Sequence, residues 1–249
     1  MIPYRLALTL ALLSLTCGKL TAGPPLLTQD TGTPGAGQWE VNLAWVQAER
    51  PGARERAQPL VDVNYGPTER TQLKYEIAWL SLAEEGAPTL RGMSASIIGW
   101  KWRAWADEAA GWSASVFPQL EFRTPGSSSP EKGLAPDETR WRLPCAVQWD
   151  GEQLSLFAEV GREMASRTEG GWYAGLALVL VVLGGIELAA ELNWNGDHGL
   201  HRTELIGNLA ALVPVTRHAG LALSLGREFH NHNAPRATLI ATLGCQLTF

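Results

Sequence analysis

The segment Ala237–Phe249 (ATLIATLGCQLTF) sets the tightest limit on what this chain folds into. Ala237, Leu239, Ala241, Leu243, Cys245, Leu247 and Phe249 share one parity, and Thr238, Ile240, Thr242, Gly244, Gln246 and Thr248 share the other. Apolar residues recurring at every second position belong to a strand with one apolar and one mainly polar face. A run of about ten such residues is long enough to cross a bilayer as a tilted strand. An edge strand of a soluble sandwich alternates in the same way, so the rest of the chain has to decide.

The pattern recurs throughout. In Trp39–Glu49, Trp39, Val41, Leu43 and Trp45 alternate with Glu40, Asn42 and Ala44. Pro59–Tyr65 carries Asp62 and Asn64 on one face, and in Arg70–Leu80 the residues Leu73, Tyr75, Ile77 and Trp79 oppose Gln72, Lys74 and Glu76. Further strands are expected at 94–105, 112–123, 139–149, 153–163, 172–182, 186–194, 203–213, 219–228 and 237–249. Together these make about 12, an even number as in bacterial single-chain barrels.

Connections at 66–69, 106–111, 150–152, 183–185 and 214–218 read as short. Those at 50–58, 81–93, 124–138, 164–171, 195–202 and 229–236 read as longer and more polar. That sorting fits a barrel with short periplasmic turns, longer outer loops and both termini periplasmic. Of the 11 Trp, Trp39, Trp105, Trp112 and Trp149 fall near periplasmic strand ends, with Trp100 and Trp102 further in. Trp45, Trp79, Trp141, Trp172 and Trp194 fall toward the other end, giving two aromatic girdles. The expected fold is therefore all-β: a transmembrane antiparallel up-and-down β-barrel spanning 39–249. Phe249, a terminal aromatic on the apolar face, is the expected assembly signal for the outer-membrane assembly machinery.

Residues 1–23 have the make-up of a cleaved signal peptide: Arg5, the apolar run Leu6–Thr16, then small residues around Thr21-Ala22-Gly23. The bacterial outer membrane is the expected destination, with membrane lipid as a partner. Arg5 and Lys19 leave with this segment, moving the formal charge from −5 to −7; an acidic chain argues against nucleic-acid partners. Residues 24–38 (PPLLTQDTGTPGAGQ), rich in Pro, Gly and Thr, read as an irregular lead-in, free in the periplasm or tucked into the barrel. Cys145 and Cys245 fall on opposite walls, beyond the reach of a disulfide, and are expected as free thiols. Tyr173–Ile186 (YAGLALVLVVLGGI) is apolar on both parities and invites a one-residue register slip. The reading kept here is a strand, a Gly184-Gly185 turn, and a second strand.

The runs GPPLLTQDTGTPGAGQWEVN (23–42) and PLVDVNYGPTERTQLKYEIAWL (59–80) resemble the outer-membrane transporter family of the meta pathway of phenol degradation. FAEVGRE (157–163) and ELAAELN (187–193) are similar to its later strands. Gln29-Asp30-Thr31 departs from the Asp-Asp-Pro-like run usual there. The resemblance implies a barrel that moves small hydrophobic or aromatic compounds, and it brings no catalytic residues.

Read from the residues alone, the inner face carries Glu40, Asp62, Lys74, Glu76, Lys101, Arg103, Glu121, Arg123, Arg140, Arg142, Glu159, Glu187, Glu191 and Glu204. Buried charges have to be paired or wet, so these form either an ion-paired filling or a narrow polar conduit. Gly175, Ala177, Val179 and Val181 would add an apolar stripe to that wall. A small apolar or aromatic solute is the expected cargo, with no cofactor and no metal. A lipid hydrolase and a purely structural barrel are the alternatives. The histidines His198, His201, His230 and His232 lie in outer loops and His218 at a periplasmic turn, with no serine placed beside the loop histidines as a nucleophile. The stretch 124–138 (TPGSSSPEKGLAPDE) has the composition of a flexible linker.

Overall fold

The structure, a computed structural model, describes residues 25–232 and 235–249. The signal peptide expected over 1–23 lies outside these residues. Fourteen strand segments follow one another: β1 (Trp39–Arg50), β2 (Ala53–Thr68), β3 (Thr71–Glu84), β4 (Leu90–Met93), β5 (Ser96–Asp107), β6 (Trp112–Val116), β7 (Gln119–Phe122), β8 (Arg140–Asp150), β9 (Leu154–Ala165), β10 (Gly171–Val181), β11 (Glu187–Asp197), β12 (Thr203–Pro214), β13 (Ala219–Asn231) and β14 (Leu239–Thr248). Both β4 and β5 pair with β3, so they form one stave broken at Ser94-Ala95. Likewise β6 and β7 lie between β5 and β8 as one stave, broken at Phe117-Pro118 where proline has no N–H for the ladder. Twelve staves result, all antiparallel.

The ring closes where β1 meets β14, from Glu40 opposite Thr248 to Glu49 opposite Leu239. Closure leaves no sheet edge, which is what a strand fold needs to survive in hydrocarbon. The alternation then sorts side chains in the reverse of a water-soluble sense. Leu176, Leu209 and Leu225 point outward and are 62%, 67% and 63% exposed, whereas Asp62, Asn42 and Glu228 point inward and are 1%, 2% and 1% exposed. Trp39, Trp79, Trp100, Trp102, Trp105, Trp112, Trp141 and Trp172 are among the exposed outward residues. None of the described helices is long and apolar enough to cross a membrane.

Three expectations change and a fourth, at 173–186, holds. Residues 50–58 are not a loop: β1 and β2 meet through Pro51-Gly52, with Gly52 at φ 75°, and Ala53–Gln58 is strand. Between 81 and 93 the chain is also largely strand, because β3 runs to Glu84 and β4 pairs back on it. The cause is common to both. A strand that rises above the apolar band no longer needs an apolar face, so ARERAQ keeps its ladder while losing the alternation that reveals it. The stretch 124–138 is folded rather than flexible, with a 3₁₀ turn at Pro130–Lys132 and Ser129 fully buried. Finally, 173–186 keeps an unbroken register against both neighbours. Its turn is a 3₁₀ turn at Leu183–Gly185, where Gly184 and Gly185 both take φ 75°, a left-handed geometry that glycine adopts without strain. Cys145 and Cys245 are free thiols.

Candidate functional site: the lumen and its internal segment

The inner residues of β1, β2 and β3 form a continuous polar ladder. Asn42 Nδ2 donates to Glu40 at 2.9 Å and to Asp62 at 3.2 Å. Asn64 Nδ2 donates to Asp62 at 3.1 Å, and Gln72 Nε2 to Asn64 at 2.6 Å. Lys74 completes it with ion pairs of 3.0 Å to Asp62 and 2.7 Å to Glu76. Every member is an inward residue of its strand, so the alternation alone places it there.

The described part of the segment before β1 lies against inner side chains of the barrel. Glu191 on β11 accepts the backbone N–H of Leu27 (3.0 Å) and Thr28 (2.9 Å) and the hydroxyl of Thr28 (3.0 Å). Asn208 holds Glu191 at 2.9 Å and the carbonyl of Pro25 at 3.1 Å. Across the lumen, Lys101 and Asp30 form a 2.8 Å ion pair with both side chains buried, and Phe117 lies 5.1 Å under the ammonium. Arg103 Nε donates to the carbonyl of Thr31 at 3.2 Å, and Thr31 bonds Gln148 through both its N–H and its hydroxyl. Toward β1, Gly37 N–H reaches the carbonyl of Gly66 at 2.7 Å. Three separate walls therefore grip the segment.

Val179 does not form open wall. With Phe157, Ala177, Ala189 and Ala210 it packs around Leu26 of the internal segment. Gly175 is needed beside it, because a Cβ there would stand 2.6 Å from the Thr28 hydroxyl. The apolar stripe expected over 175–181 is thus the seat of Leu26.

The remaining predicted residues take different places. Glu121 stands opposite Arg140 across the β7–β8 ladder. Arg140 pairs with Glu138 at 3.0 Å, Arg142 reaches Glu163 at 3.4 Å and covers the Tyr173 ring at 4.8 Å. Arg123 lies at the mouth, paired with Glu131 at 2.6 Å. Glu159 is buried with Oε2 unpartnered, Glu204 accepts Asn195 and Asn231 at 3.3 Å each, and Glu187 begins β11 opposite Val181. Sequence reasoning missed Glu228, which takes Arg50 at 2.7 Å and the N–H of Ala237 at 2.6 Å, although its parity on β13 matches Ser224 and Ala222. Asp30 was missed because its run has no periodicity.

The inner charges are mainly acidic and are separated around the wall. The inner faces of β9 to β13 carry Glu159, Glu163, Glu187, Glu191, Glu204 and Glu228 and no Lys or Arg. Lys101, Arg103, Arg140 and Arg142 stand on β5 and β8. Such a separation sets a field across the lumen rather than along it. Between the segment and the wall remains a chamber of about 380 Å³, with Val46, Leu60, Ile97, Phe117, Ile206 and Ile240 contributing apolar surface and Asp62, Glu76, Arg142 and Glu159 charge.

The histidines sit elsewhere. His198 Nδ1 meets Arg162 at 2.6 Å, His230 and His232 touch at 2.9 Å, and His218 Nδ1 donates to the carbonyl of Thr248 at 3.1 Å. Among the described residues no three His, Cys, Asp or Glu side chains are grouped to hold a metal.

No family model matches the chain, and no curated protein does. Solved structures do. The COG4313 outer membrane channel from Pseudomonas putida F1 superposes with a TM-score of 0.74 at 14% identity, over 92% of this chain and 100% of that one. The KdgM porin gives 0.59 at 10% identity, over 84% and 99%. The NanC porin gives 0.56 at 10% identity, over 84% and 98%. At these identities the likeness is one of fold, and the fold is that of outer-membrane channel barrels.

Proposed function

We propose that this protein is a narrow outer-membrane channel for small, mainly apolar or aromatic solutes, with residues 25–37 as an internal constriction. The observation that carries this reading is the chamber beside the constriction, whose lining combines aliphatic and charged side chains. Apolar contact contributes about 25 cal/mol per Å², so a ring-sized solute binds there weakly and leaves again, as conduction requires. The charged side chains favour solutes that also carry a polar group. The likeness of 23–42 and 59–80 to the phenol-pathway transporter family points the same way.

Proteoliposome uptake tests the proposal. Removing 25–37 should raise the rate for a small phenol several-fold. In that shortened protein Val179→Asp, now on open wall, should slow the phenol while leaving a sugar of similar size unaffected. Phenol entry at the same rate with and without the protein rejects the transport reading.

A further inference from the structure

The outer surface over β9 to β13 holds an apolar groove of about 960 Å³. Ala158, Ala190 and Gly207 form its floor, and the Phe229 ring occupies the space that a side chain on Gly207 would need. Leu176, Leu209 and Leu225 stand out as its walls. Ala and Gly in place of bulky outward residues on β9, β11 and β12 leave a depression between the leucines.

One cation lines this groove, and a second stands on the outward face of β9 four positions beyond Ala158. Arg227 lines it, is exposed, lies 5.4 Å over the Phe229 ring, and has no carboxylate within ion-pair distance among the described residues. Arg162 on β9 lies 4.8 Å over the Trp172 ring, and its Nη1 is buried without a hydrogen-bond partner. Each sits eight positions beyond the first residue of its strand, Leu154 and Ala219. At about 3.3 Å per residue and a tilt near 40°, that is roughly 20 Å along the membrane normal, near the upper edge of an apolar band about 25 Å tall. Arg162 meets His198 through Nη2, but neither guanidinium has a carboxylate partner among the described residues, and at that depth each calls for a phosphate, which it binds bidentately.

We propose that the groove and its two arginines form a site for a phosphorylated, multiply acylated glycolipid of the outer leaflet, with acyl chains over Ala158, Ala190 and Gly207 and phosphate at Arg227 and Arg162. The site depends on outer-membrane placement and not on what the lumen carries. The full barrel is purified in detergent and examined by native mass spectrometry with three probes: bis-phosphorylated lipid A, its phosphate-free form, and phosphatidylethanolamine. Bis-phosphorylated lipid A should stay bound, and Arg162→Gln with Arg227→Gln should weaken retention about tenfold. Ala190→Phe, which fills the groove without touching either cation, should weaken it too. Equal retention by the double variant, or equal retention of the phosphate-free lipid, overturns the site and leaves ordinary solvating lipid. A lipid-free dimer that hides the groove overturns it as well. Both arginines face away from the lumen, so conductance of the double variant should match wild type, which separates failure here from failure of the channel reading.

Discussion

Lys101 is among the largest fully buried side chains, and its ion-pair partner among the described residues, Asp30, is on a segment that is not part of the barrel. Removing one member of a buried pair leaves the other uncompensated, at a cost of about 3 kcal/mol or more. Asp30, however, has an escape that a barrel residue lacks: its segment can leave the lumen. Lys101→Met should therefore undock 25–37 rather than unfold the barrel. Proteolysis within 25–37 should accelerate and conductance rise, while the shift in gel mobility on boiling stays as in wild type. Unchanged proteolysis would show that Glu191 and Gln148 hold the segment unaided. The contrast is with Arg142, whose side chain is 39% exposed and whose partner Glu163 is 28% exposed. Exposed pairs contribute about 0–1 kcal/mol, so neutralising Arg142 should leave the melting temperature almost unmoved. Parity in the sequence was enough to aim Lys101 and Arg142 inward. It said nothing of which is dry, because dryness comes from a segment with no periodic pattern to read.

At the scale of elements, the strands within the apolar band were legible and the parts above it were not. Two-sided solvation removes the alternation from Ala53–Gln58, and it removes any sign that 123–139 is ordered. Ion pairs cross that loop beside its buried Ser127 and Ser129. Asp137 is held below the usual carboxylate range by the hydrogen bond and charge of Arg167. For Glu138, burial pushes upward but is outweighed by hydrogen bonds from Thr168, Arg140 and the Arg167 N–H, so it too is lowered. A depressed carboxylate stabilises the folded form above its ordinary pKa and stops doing so as pH falls through the depressed value. The loop should keep its order from neutral pH down to the ordinary carboxylate range and lose it below about pH 4. A fluorophore on a cysteine at Ser128, an exposed position beside buried Ser129, should show constant anisotropy down to that range and a fall beneath it. Constant anisotropy to pH 3 would mean that packing of the loop, and not its ion pairs, holds it.

For the molecule as a whole, everything depends on one seam. The staves on either side of β1–β14 are joined by local hairpins, whereas β1 and β14 come from opposite ends of the sequence, and a contact of that separation carries the largest loop-closure cost. The final rung of the seam is Phe249, whose carbonyl accepts the Trp39 N–H at 2.7 Å and whose N–H donates to the Trp39 carbonyl at 3.0 Å. Its ring is 61% exposed on the outer face. Two roles are thus carried by one residue, a backbone clasp and a lipid-facing aromatic, and two variants separate them. Phe249→Ala keeps the clasp and loses the ring; deletion loses both. If the ring is what the assembly machinery recognises, as proposed here, both variants should lower the yield of heat-modifiable barrel in the membrane to a similar extent, with secretion intact. If the clasp dominates, only the deletion should fall, because the alanine variant still closes the last rung against Trp39. Wild-type yield from both variants would show that the ladder from Glu40 to Glu49 closes the barrel without its terminal rung, and would remove Phe249 from either role.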